Sequence, residues 1–399
     1  MLSEQQIEKY AEVLLWALNT ARKDRYKKND VILVRYDQAA LKMAEVLQAR
    51  ILDRGLNPVL RGGLSPAMER NFYERAGGKQ LVFQPPGEKE LYQALNGAIY
   101  LNAPESLTHL AEVDPKKIGK AAVARKPLRD ILDKREERGH FGWTLCLFPT
   151  PELAKQAGLA PERYAEQVVQ ACYLDREDPV RDWKEIHARA GAIKTWLNRL
   201  KLKRLHVESE RTDLIITPGE KRRWVGMTGH NIPSFELFLS PDWRGTTGVY
   251  FADQPSFRNG NHVEGVTLHF KNGSVVKAQA EKGEAFLRKQ LKVDPGAARV
   301  GEFSLTDKRF SRIDRFMAST LYDENYGGLY GNCHLAVGAS YSETFDGNPA
   351  RLSKKIKERL GLNDSAIHWD LVNTEKKRVT ACLESGKEVL LYENGAFAN

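Results

Sequence analysis

The sequence lacks several features that define common protein classes. It has four cysteines among 399 residues and no Cys-x-x-Cys pair, so we expect neither a zinc finger nor a disulfide framework but reduced thiols in a cytoplasmic protein. No apolar run reaches the roughly 18 residues that a membrane span needs. The polar segment Met1–Gln6 has no basic stretch ahead of an apolar one, so we expect no membrane anchor and no secretory signal.

The short motifs of several enzyme classes are also missing. The sequence has no G-x-G-x-x-G, no G-x-x-x-x-G-K-[ST], no H-E-x-x-H and no G-x-S-x-G. Nothing in it therefore argues for a dinucleotide, a P-loop nucleotide, a single-zinc protease of that type or a serine hydrolase.

The charge balance is basic, with a formal net charge of +9. Such a balance favours polyanion binding. The basic neighbourhoods, residues 116–126 and 199–204, contain no aromatic ladder for stacking bases, and acidic residues such as Asp130 interrupt the surroundings of the first. The sequence therefore argues against a nucleic-acid partner.

The length exceeds that of one comfortable hydrophobic core, so two domains are expected. In the first half, Ser3 and Gln6 form a capping box before a helix. Short apolar runs then alternate with helical patterns, which predicts an N-terminal α/β layer domain over residues 1–200. The apolar runs are Val31–Val34, Pro58–Leu60, Leu81–Phe83, Ala98–Leu101 and Thr144–Phe148.

The second half is richer in strands and turns. Asn272-Gly273 between two β-rich runs predicts a type I′ hairpin, and the alternation from His206 to Ile216 predicts a strand. We expect residues 201–399 to form a mixed α+β domain, and the class of the whole chain to be α/β.

Six metal-capable side chains occur in short polar motifs of this second half. Four carboxylates and two imidazoles suit a pair of divalent cations, and a carboxylate-rich pair of cations suits hydrolysis. The six residues are Glu236, Glu302, Glu324, His334, His368 and Asp370.

The two histidine motifs can be interpreted in more than one way. His368 and Asp370 lie in a predicted strand, where residues two apart share a face; the alternative is a solvated face. His334 and Tyr341 are seven residues apart, which places them on one face of a helix but not of a strand; the alternative for His334 is an ordinary core histidine.

The three glutamates have plain alternatives as well, since isolated glutamates are mostly solvated. Glu236 and Glu302 lie in apolar surroundings, where a charge needs a partner such as a metal. Glu324 fits a solvated loop equally well. A rival group, His262, Glu264 and His269, fits a structural or solvent-facing role better than a site.

Taken together, the motifs resemble the thermophilic-type metalloaminopeptidases of the aminopeptidase T and aminopeptidase S (PepS-like) family. The resemblance covers residues 231–370 in order and approximate spacing, although the segment between Glu324 and His334 is longer than is usual in that family. The matching segments are Asn231–Glu236, Gly301-Glu302, Asp323–Asn325, His334 to Tyr341, and His368 with Asp370.

The resemblance implies two neighbouring divalent ions (cobalt, zinc or magnesium) held by the six residues above, and a homodimer with an enclosed active site. The implied activity is an aminopeptidase that acts on peptides with a free N-terminus. In that mechanism we expect Glu302 to relay the proton of the attacking water and Tyr341 to stabilise the oxyanion.

Two other functions remain open at the level of sequence. A di-metal phosphoesterase uses the same ligand types and suits the basic charge. A basic binding protein that has lost its metals, and therefore its catalysis, is the non-enzymatic alternative.

Overall fold

The structure is a computed structural model that describes residues 2–398. The α-helices are α1 (Glu4–Ala21), α2 (Leu41–Asp53), α3 (Pro66–Arg75), α4 (Glu88–Ala94), α5 (Pro115–Glu137), α6 (Pro151–Gln156), α7 (Pro161–Ala171), α8 (Pro179–Arg199), α9 (Glu284–Gln290), α10 (Thr320–Asp323) and α11 (Lys354–Arg359). The strands are β1 (Val31–Tyr36), β2 (Asn57–Gly62), β3 (Gly97–Asn102), β4 (Gly142–Leu147), β5 (Leu202–Glu208), β6 (Asp213–Ile216), β7 (Asn231–Ile232), β8 (Glu236–Leu239), β9 (Thr247–Ala252), β10 (Ser256–Arg258), β11 (Asn261–Val263), β12 (Val266–Lys271), β13 (Ser274–Gln279), β14 (Val300–Thr306), β15 (Asn332–Gly338), β16 (His368–Asn373), β17 (Arg378–Leu383), β18 (Glu388–Glu393) and β19 (Ala396–Phe397).

The chain divides into two compact units. The first contains the residues up to Glu185 with the short segments Thr228–Ser234 and Asn259–Asn261, and the second contains the remainder. The predicted division into domains 1–200 and 201–399 stays a prediction.

The first unit is built on a five-stranded parallel sheet of order β2-β1-β3-β4-β7. The predicted capping box is present, since Ser3 accepts a hydrogen bond from the Gln6 amide and the Gln6 side chain accepts one from the Ser3 amide. Residues 32–34 of β1 are fully buried, as expected for a parallel strand covered on both faces.

One predicted strand of this unit is wrong. Leu81–Phe83 lies in a turn. Leu81 packs in a small core with Tyr73 and Ile118, while Phe83 is exposed. The apolar run is thus explained by local packing, because its residues pair with no neighbouring strand.

The second unit contains an eight-stranded sheet of order β13-β12-β9-β6-β5-β17-β18-β19. The predicted hairpin joins β12 to β13, with Asn272 and Gly273 at φ values of 49° and 76°. A Cβ atom on Gly273 would lie 1.7 Å from the Trp243 carbonyl oxygen, so only glycine fits there. The strand predicted from 206 to 216 is instead two antiparallel strands, β5 and β6, joined by a turn.

A four-stranded antiparallel sheet, of order β16-β15-β14-β8, completes the second unit. One of its faces is apolar and buried, with side chains that include Phe303, Leu305, Leu335, Val337, Trp369 and Leu371. Because side chains alternate along a strand, the residues between these project from the opposite face. The metal-capable residues of β8, β14, β15 and β16 lie on that opposite face.

These elements confirm the predicted α/β class, with a parallel layer first and an antiparallel, mixed unit second. Within residues 2–398, no helix combines the length and the apolar character required to cross a bilayer. All four cysteines are free thiols.

Candidate metal centre

Five of the six predicted residues lie on one face of the four-stranded sheet. Glu236 begins β8, Glu302 lies on β14, His334 on β15, and His368 and Asp370 on β16. In the ladder, Ser304 pairs with His334, Ala336 with Asp370 and Gly338 with His368. Directly paired residues of antiparallel strands point to the same side, so the register brings groups from four strands together.

Small residues lie at the centre of this face. Ala336 is directly opposite both Glu302 and Asp370, and Gly338 is directly opposite His368. Gly338 has a φ of +108°, and a Cβ atom there would lie 2.1 Å from the Ile367 carbonyl oxygen. Only glycine therefore fits at position 338, and Ala336 presents a single methyl group between Glu302 and Asp370.

His334 is the centre of the cluster and is 1% exposed. Its Nε2 lies 3.0 Å from Glu302 Oε1, 3.3 Å from Glu236 Oε2 and 3.9 Å from Asp370 Oδ1. One imidazole nitrogen therefore faces three carboxylates, which is more than a simple buried ion pair needs.

The predicted convergence of His368 and Asp370 is confirmed. His368 Nε2 lies 3.0 Å from Asp370 Oδ1 and 3.9 Å from Glu302 Oε2. Its other nitrogen, Nδ1, donates a hydrogen bond of 2.8 Å to the Ala339 carbonyl. A carbonyl on Nδ1 fixes the proton there in the neutral ring, so that Nε2 presents its lone pair to the cluster.

Glu324 lies outside the sheet, directly after α10. It is 6% exposed, and it interacts electrostatically with Glu236, Asp370 and His334. The preceding Asp323 accepts hydrogen bonds from the amides of Met317 and Ser319 and thereby fixes the loop that presents Glu324. Glu324 therefore belongs to the same charge cluster from a different element.

Tyr341 reaches the site by a route that its spacing does not predict. His334 lies on a strand, where a spacing of seven does not place two residues on one face, and Tyr341 lies three residues after the end of β15. Its ring centre lies 4.7 Å from that of His368 and 5.8 Å from that of Phe238. The side chain is partly open to solvent, with 38% of its surface exposed.

The carboxylates of the cluster repel one another in a dry environment. Burial, with the charges of Glu302 and Asp370, raises the pKa of Glu236 to about 7, although His334 and Ser304 oppose the shift. Burial and the charges of Glu236 and Asp370 raise the pKa of Glu324 well above its usual value. Without cations, the site therefore retains protons on carboxylates at neutral pH.

Burial acts on the imidazoles in the opposite sense, because their charged form is the protonated one. Burial alone lowers the pKa of His334, but the hydrogen bond to Glu302 and the charges of Glu236 and Asp370 raise it to about 10. Burial likewise opposes the shift at His368, where Asp370 and Glu302 raise the pKa to about 9. Burial raises the pKa of Asp370, yet the two neighbouring imidazoles lower it far more, so that Asp370 stays ionised.

The donor set fits divalent cations. Ligand atoms of Glu236, Glu302 and His334 lie within 4.8 Å of one another, as do those of Glu302, His368 and Asp370. Within residues 2–398 these are the two such groups, and they share Glu302. Glu302 Oε2 is buried without a hydrogen-bond partner, which is costly unless a further partner such as a cation binds it.

The rival histidine cluster does not assemble. His262 Nε2 lies 3.6 Å from Glu264 Oε2, and its ring stacks on Phe257 with centres 4.7 Å apart. His269 lies on β12, paired with Val249 and Lys277. This agrees with the structural role expected for these residues.

Two residues that contact the cluster were missed in the sequence. Ser304, two residues after Glu302 on the same face of β14, donates a hydrogen bond of 2.9 Å to Glu236 Oε2; strand alternation was a signal that could have found it. Arg258 on β10 donates a hydrogen bond of 2.9 Å to the His368 carbonyl. No local pattern marks Arg258, because it is distant in sequence from β16.

Known proteins of similar sequence are described as metalloproteases or aminopeptidases. The family model described as thermophilic metalloprotease (M29) matches residues 3–397. Aminopeptidase T of Thermus aquaticus is 32% identical over 317 residues, which is 75% of either chain. Aminopeptidase AmpS of Bacillus subtilis is 28% identical over 339 residues, 79% of this chain and 80% of that one.

A solved structure shares the fold. Wild-type AmpT from Thermus thermophilus superposes with a TM-score of 0.80, over 99% of this chain and 100% of that chain, at 24% sequence identity.

Proposed function

The chain belongs to the thermophilic metalloprotease family (M29), and from that premise we propose that it is a metal-dependent aminopeptidase that hydrolyses the N-terminal peptide bond of peptides. The observation that carries the proposal is the convergence of Glu236, Glu302 and His334, and of Glu302, His368 and Asp370, on one sheet face. The relatives compared are named aminopeptidases, and they give no support to a phosphoesterase or to a metal-free binding protein.

We propose two divalent cations, held by Glu236, Glu302, Glu324, His334, His368 and Asp370. The two tight groups share Glu302, so its carboxylate would serve both ions. Cobalt, zinc and magnesium each accept such ligands, since imidazole and carboxylate serve all three to different degrees. Bound there, the cations would supply the Lewis acidity that lowers the pKa of a water molecule and polarises a carbonyl group.

Glu302 is the proposed proton relay. It is 3% exposed and lies between the two imidazoles, and its Oε2 has no hydrogen-bond partner within residues 2–398. A carboxylate in that position can take the proton of the attacking water and return it to the leaving amine.

Tyr341 is the proposed oxyanion donor. Partial removal from water and the charges of nearby carboxylates, Glu302 and Asp370 first among them, hold the pKa of Tyr341 well above 10. The phenol therefore keeps its proton and can donate a hydrogen bond to the carbonyl oxygen as negative charge develops on it.

The substrates we propose are peptides with an unblocked N-terminus. The site keeps an ionised carboxylate in Asp370, with which the positively charged α-amine of the substrate can pair. The expected homodimer and cytoplasmic location remain predictions, and analytical ultracentrifugation would measure the former.

A panel of aminoacyl anilides tests the function directly. The chelated protein, resupplied separately with cobalt, zinc or magnesium, should cleave free aminoacyl anilides but neither N-acetylated ones nor nitrophenyl phosphate. Full peptidase activity in the chelated protein, or a preference for the phosphate ester, would contradict the proposal.

Substitution of the relay gives a second test with a matched control. Glu302→Gln should lower kcat by about 10²-fold or more, because general acid–base groups contribute about 10² to 10⁴. Glu264→Gln removes a glutamate that pairs with Lys282 elsewhere in the unit and should leave kcat unchanged.

A further inference from the structure

Arg258 is a cation placed against two of the proposed ligands. Its Nη1 donates to the His368 carbonyl at 2.9 Å, and its guanidinium carbon lies 5.3 Å from the centre of the Trp369 ring. Asp370 attracts its charge. β16 is the edge strand of its sheet, and Arg258 binds this edge at the His368 carbonyl.

Several N–H groups of the Arg258 guanidinium have no acceptor among residues 2–398. The guanidinium carries five N–H groups in a planar fork, and among the residues that the structure describes only Nη1 has an acceptor. Nε is buried without a hydrogen-bond partner. Asp370 interacts with Arg258 through charge, but no carboxylate within residues 2–398 forms an ion pair with it at 4.0 Å or less. Burial lowers the pKa of this guanidinium to about 10 although the residue as a whole is partly exposed, so an anion that binds it meets a positive charge that water screens poorly.

A second arginine of the same unit serves as a comparison, because its guanidinium has a carboxylate partner. Arg211 also lies over an aromatic ring, 3.4 Å from the centre of Phe251. Its Nε donates to Glu375 Oε1 at 2.8 Å. Arg211 and Arg258 therefore share a cation–π contact but differ in whether a carboxylate occupies the fork.

A positive charge beside a centre that binds divalent cations is unfavourable unless an anion compensates it. The α-amine of a peptide is positive and cannot serve. A planar guanidinium with free N–H groups matches a carboxylate in both charge and shape. A substrate carboxylate close to the scissile bond is therefore the chemistry that Arg258 fits.

We infer that Arg258 is a specificity-determining residue that binds a carboxylate of the substrate. The enzyme therefore prefers peptides with a carboxylate close to the scissile bond, and most of all dipeptides with a free C-terminus. This inference rests on the proposed aminopeptidase function. In a dipeptide the C-terminal carboxylate lies one residue beyond the scissile bond whatever the sequence, whereas an acidic side chain on the first or second residue is present only in some peptides.

Three matched pairs of peptides separate these sources. Leu-Leu against Leu-Leu-amide tests the C-terminal carboxylate, Leu-Asp-amide against Leu-Asn-amide tests the second side chain, and Glu-Leu-amide against Gln-Leu-amide tests the first. The measurement is the ratio of kcat/KM within each pair, for the metal-loaded wild type and for the Arg258→Met and Arg258→Lys variants.

For the wild type we expect a ratio of about 10 to 100 in favour of the free acid in the first pair, since hydrogen bonds to charged groups contribute about that factor. Arg258→Met should bring the ratio close to 1, and Arg258→Lys should restore it in part, because lysine keeps the charge but not the fork. Arg211→Lys is the matched control and should leave every ratio unchanged.

A readout independent of turnover uses reduced dipeptides, in which CH₂–NH replaces the scissile amide, as free acid and as amide. Calorimetry should show tighter binding of the acid by about 10-fold or more in the wild type and equal binding of the two forms by Arg258→Met. Melting curves of the variants show whether they fold.

The outcomes distinguish failure of the Arg258 inference from failure of the proposed aminopeptidase function. If a different pair shows the Arg258-dependent ratio, the carboxylate site stands and that pair identifies its source. If all three ratios are unchanged in Arg258→Met while the peptides are cleaved, the inference is overturned and the aminopeptidase function remains. If no unblocked peptide is cleaved by the metal-loaded wild type, the proposed function itself fails.

Discussion

Binding of divalent cations to the chelated protein should release protons. The ligand forms of histidine and carboxylate are deprotonated, so protons held by the metal-free cluster must leave when cations bind. The buried cluster around His334 holds an unusual number of them at neutral pH. Cation binding and pH are therefore coupled more steeply here than at a solvent-exposed site.

The size of the effect follows from the cluster. His334 and His368 have pKa values of about 10 and about 9, so both are protonated at pH 7 and contribute about two protons. Glu236, with a pKa of about 7, contributes about half a proton, and Glu324, whose pKa is also raised, contributes up to about one more. Total release at pH 7 should therefore lie between about two and about four protons.

The raised pKa values determine how the affinity for cations changes with pH. The raised values favour the protonated, metal-free site, so the apparent affinity for cations falls as the pH falls. Each released proton changes the binding constant about tenfold per pH unit. Between pH 7 and pH 6 the affinity should drop by about 10²-fold or more. The dependence should flatten only above the pKa of His334.

Calorimetric titration of the chelated protein with zinc or cobalt, in two buffers of different ionisation enthalpy such as PIPES and MOPS, counts the released protons. His334→Ala should lower the count by about one. His269→Ala, a histidine of the same unit outside both groups, should leave it unchanged. Release of fewer than about one proton at pH 7, or an affinity independent of pH, would refute the reasoning.

Three further predictions concern the same sheet face. Ser304→Ala removes the hydrogen bond that orients Glu236 and should weaken cation binding by about 10- to 100-fold. Calorimetry measures the affinity, and an unchanged value would contradict the prediction. Ala336→Leu places a larger side chain opposite Glu302 and should abolish cation binding, while the circular dichroism spectrum stays native. Retained metal, measured by mass spectrometry, would contradict this prediction. Tyr341→Phe should lower kcat by about 10²-fold or more with a smaller change in KM, and an unchanged rate in the anilide assay removes the phenol from the mechanism.

Much of the fold follows from local patterns. The capping box at Ser3 specifies where α1 begins, because it satisfies amides that no helical carbonyl can reach. Asn272-Gly273 specifies the hairpin of β12 and β13, because both residues adopt positive φ at low cost. The strand period also predicted that His368 and Asp370 share a face. Leu81–Phe83 shows the limit of such patterns, because an apolar triplet forms a strand only where a neighbouring strand is available to pair with it.

The sequence alone determined the chemistry of the site, since the carboxylate and imidazole motifs and their order are local and carry the resemblance to the family. Only the tertiary structure decided which groups meet. The register of four antiparallel strands brings Glu236, Glu302 and His334 together, the turn after β15 returns Tyr341 to His368, and β10 brings Arg258 to the edge of β16. Strand pairing and chain reversal act between residues far apart in sequence, and no local spacing contains that information.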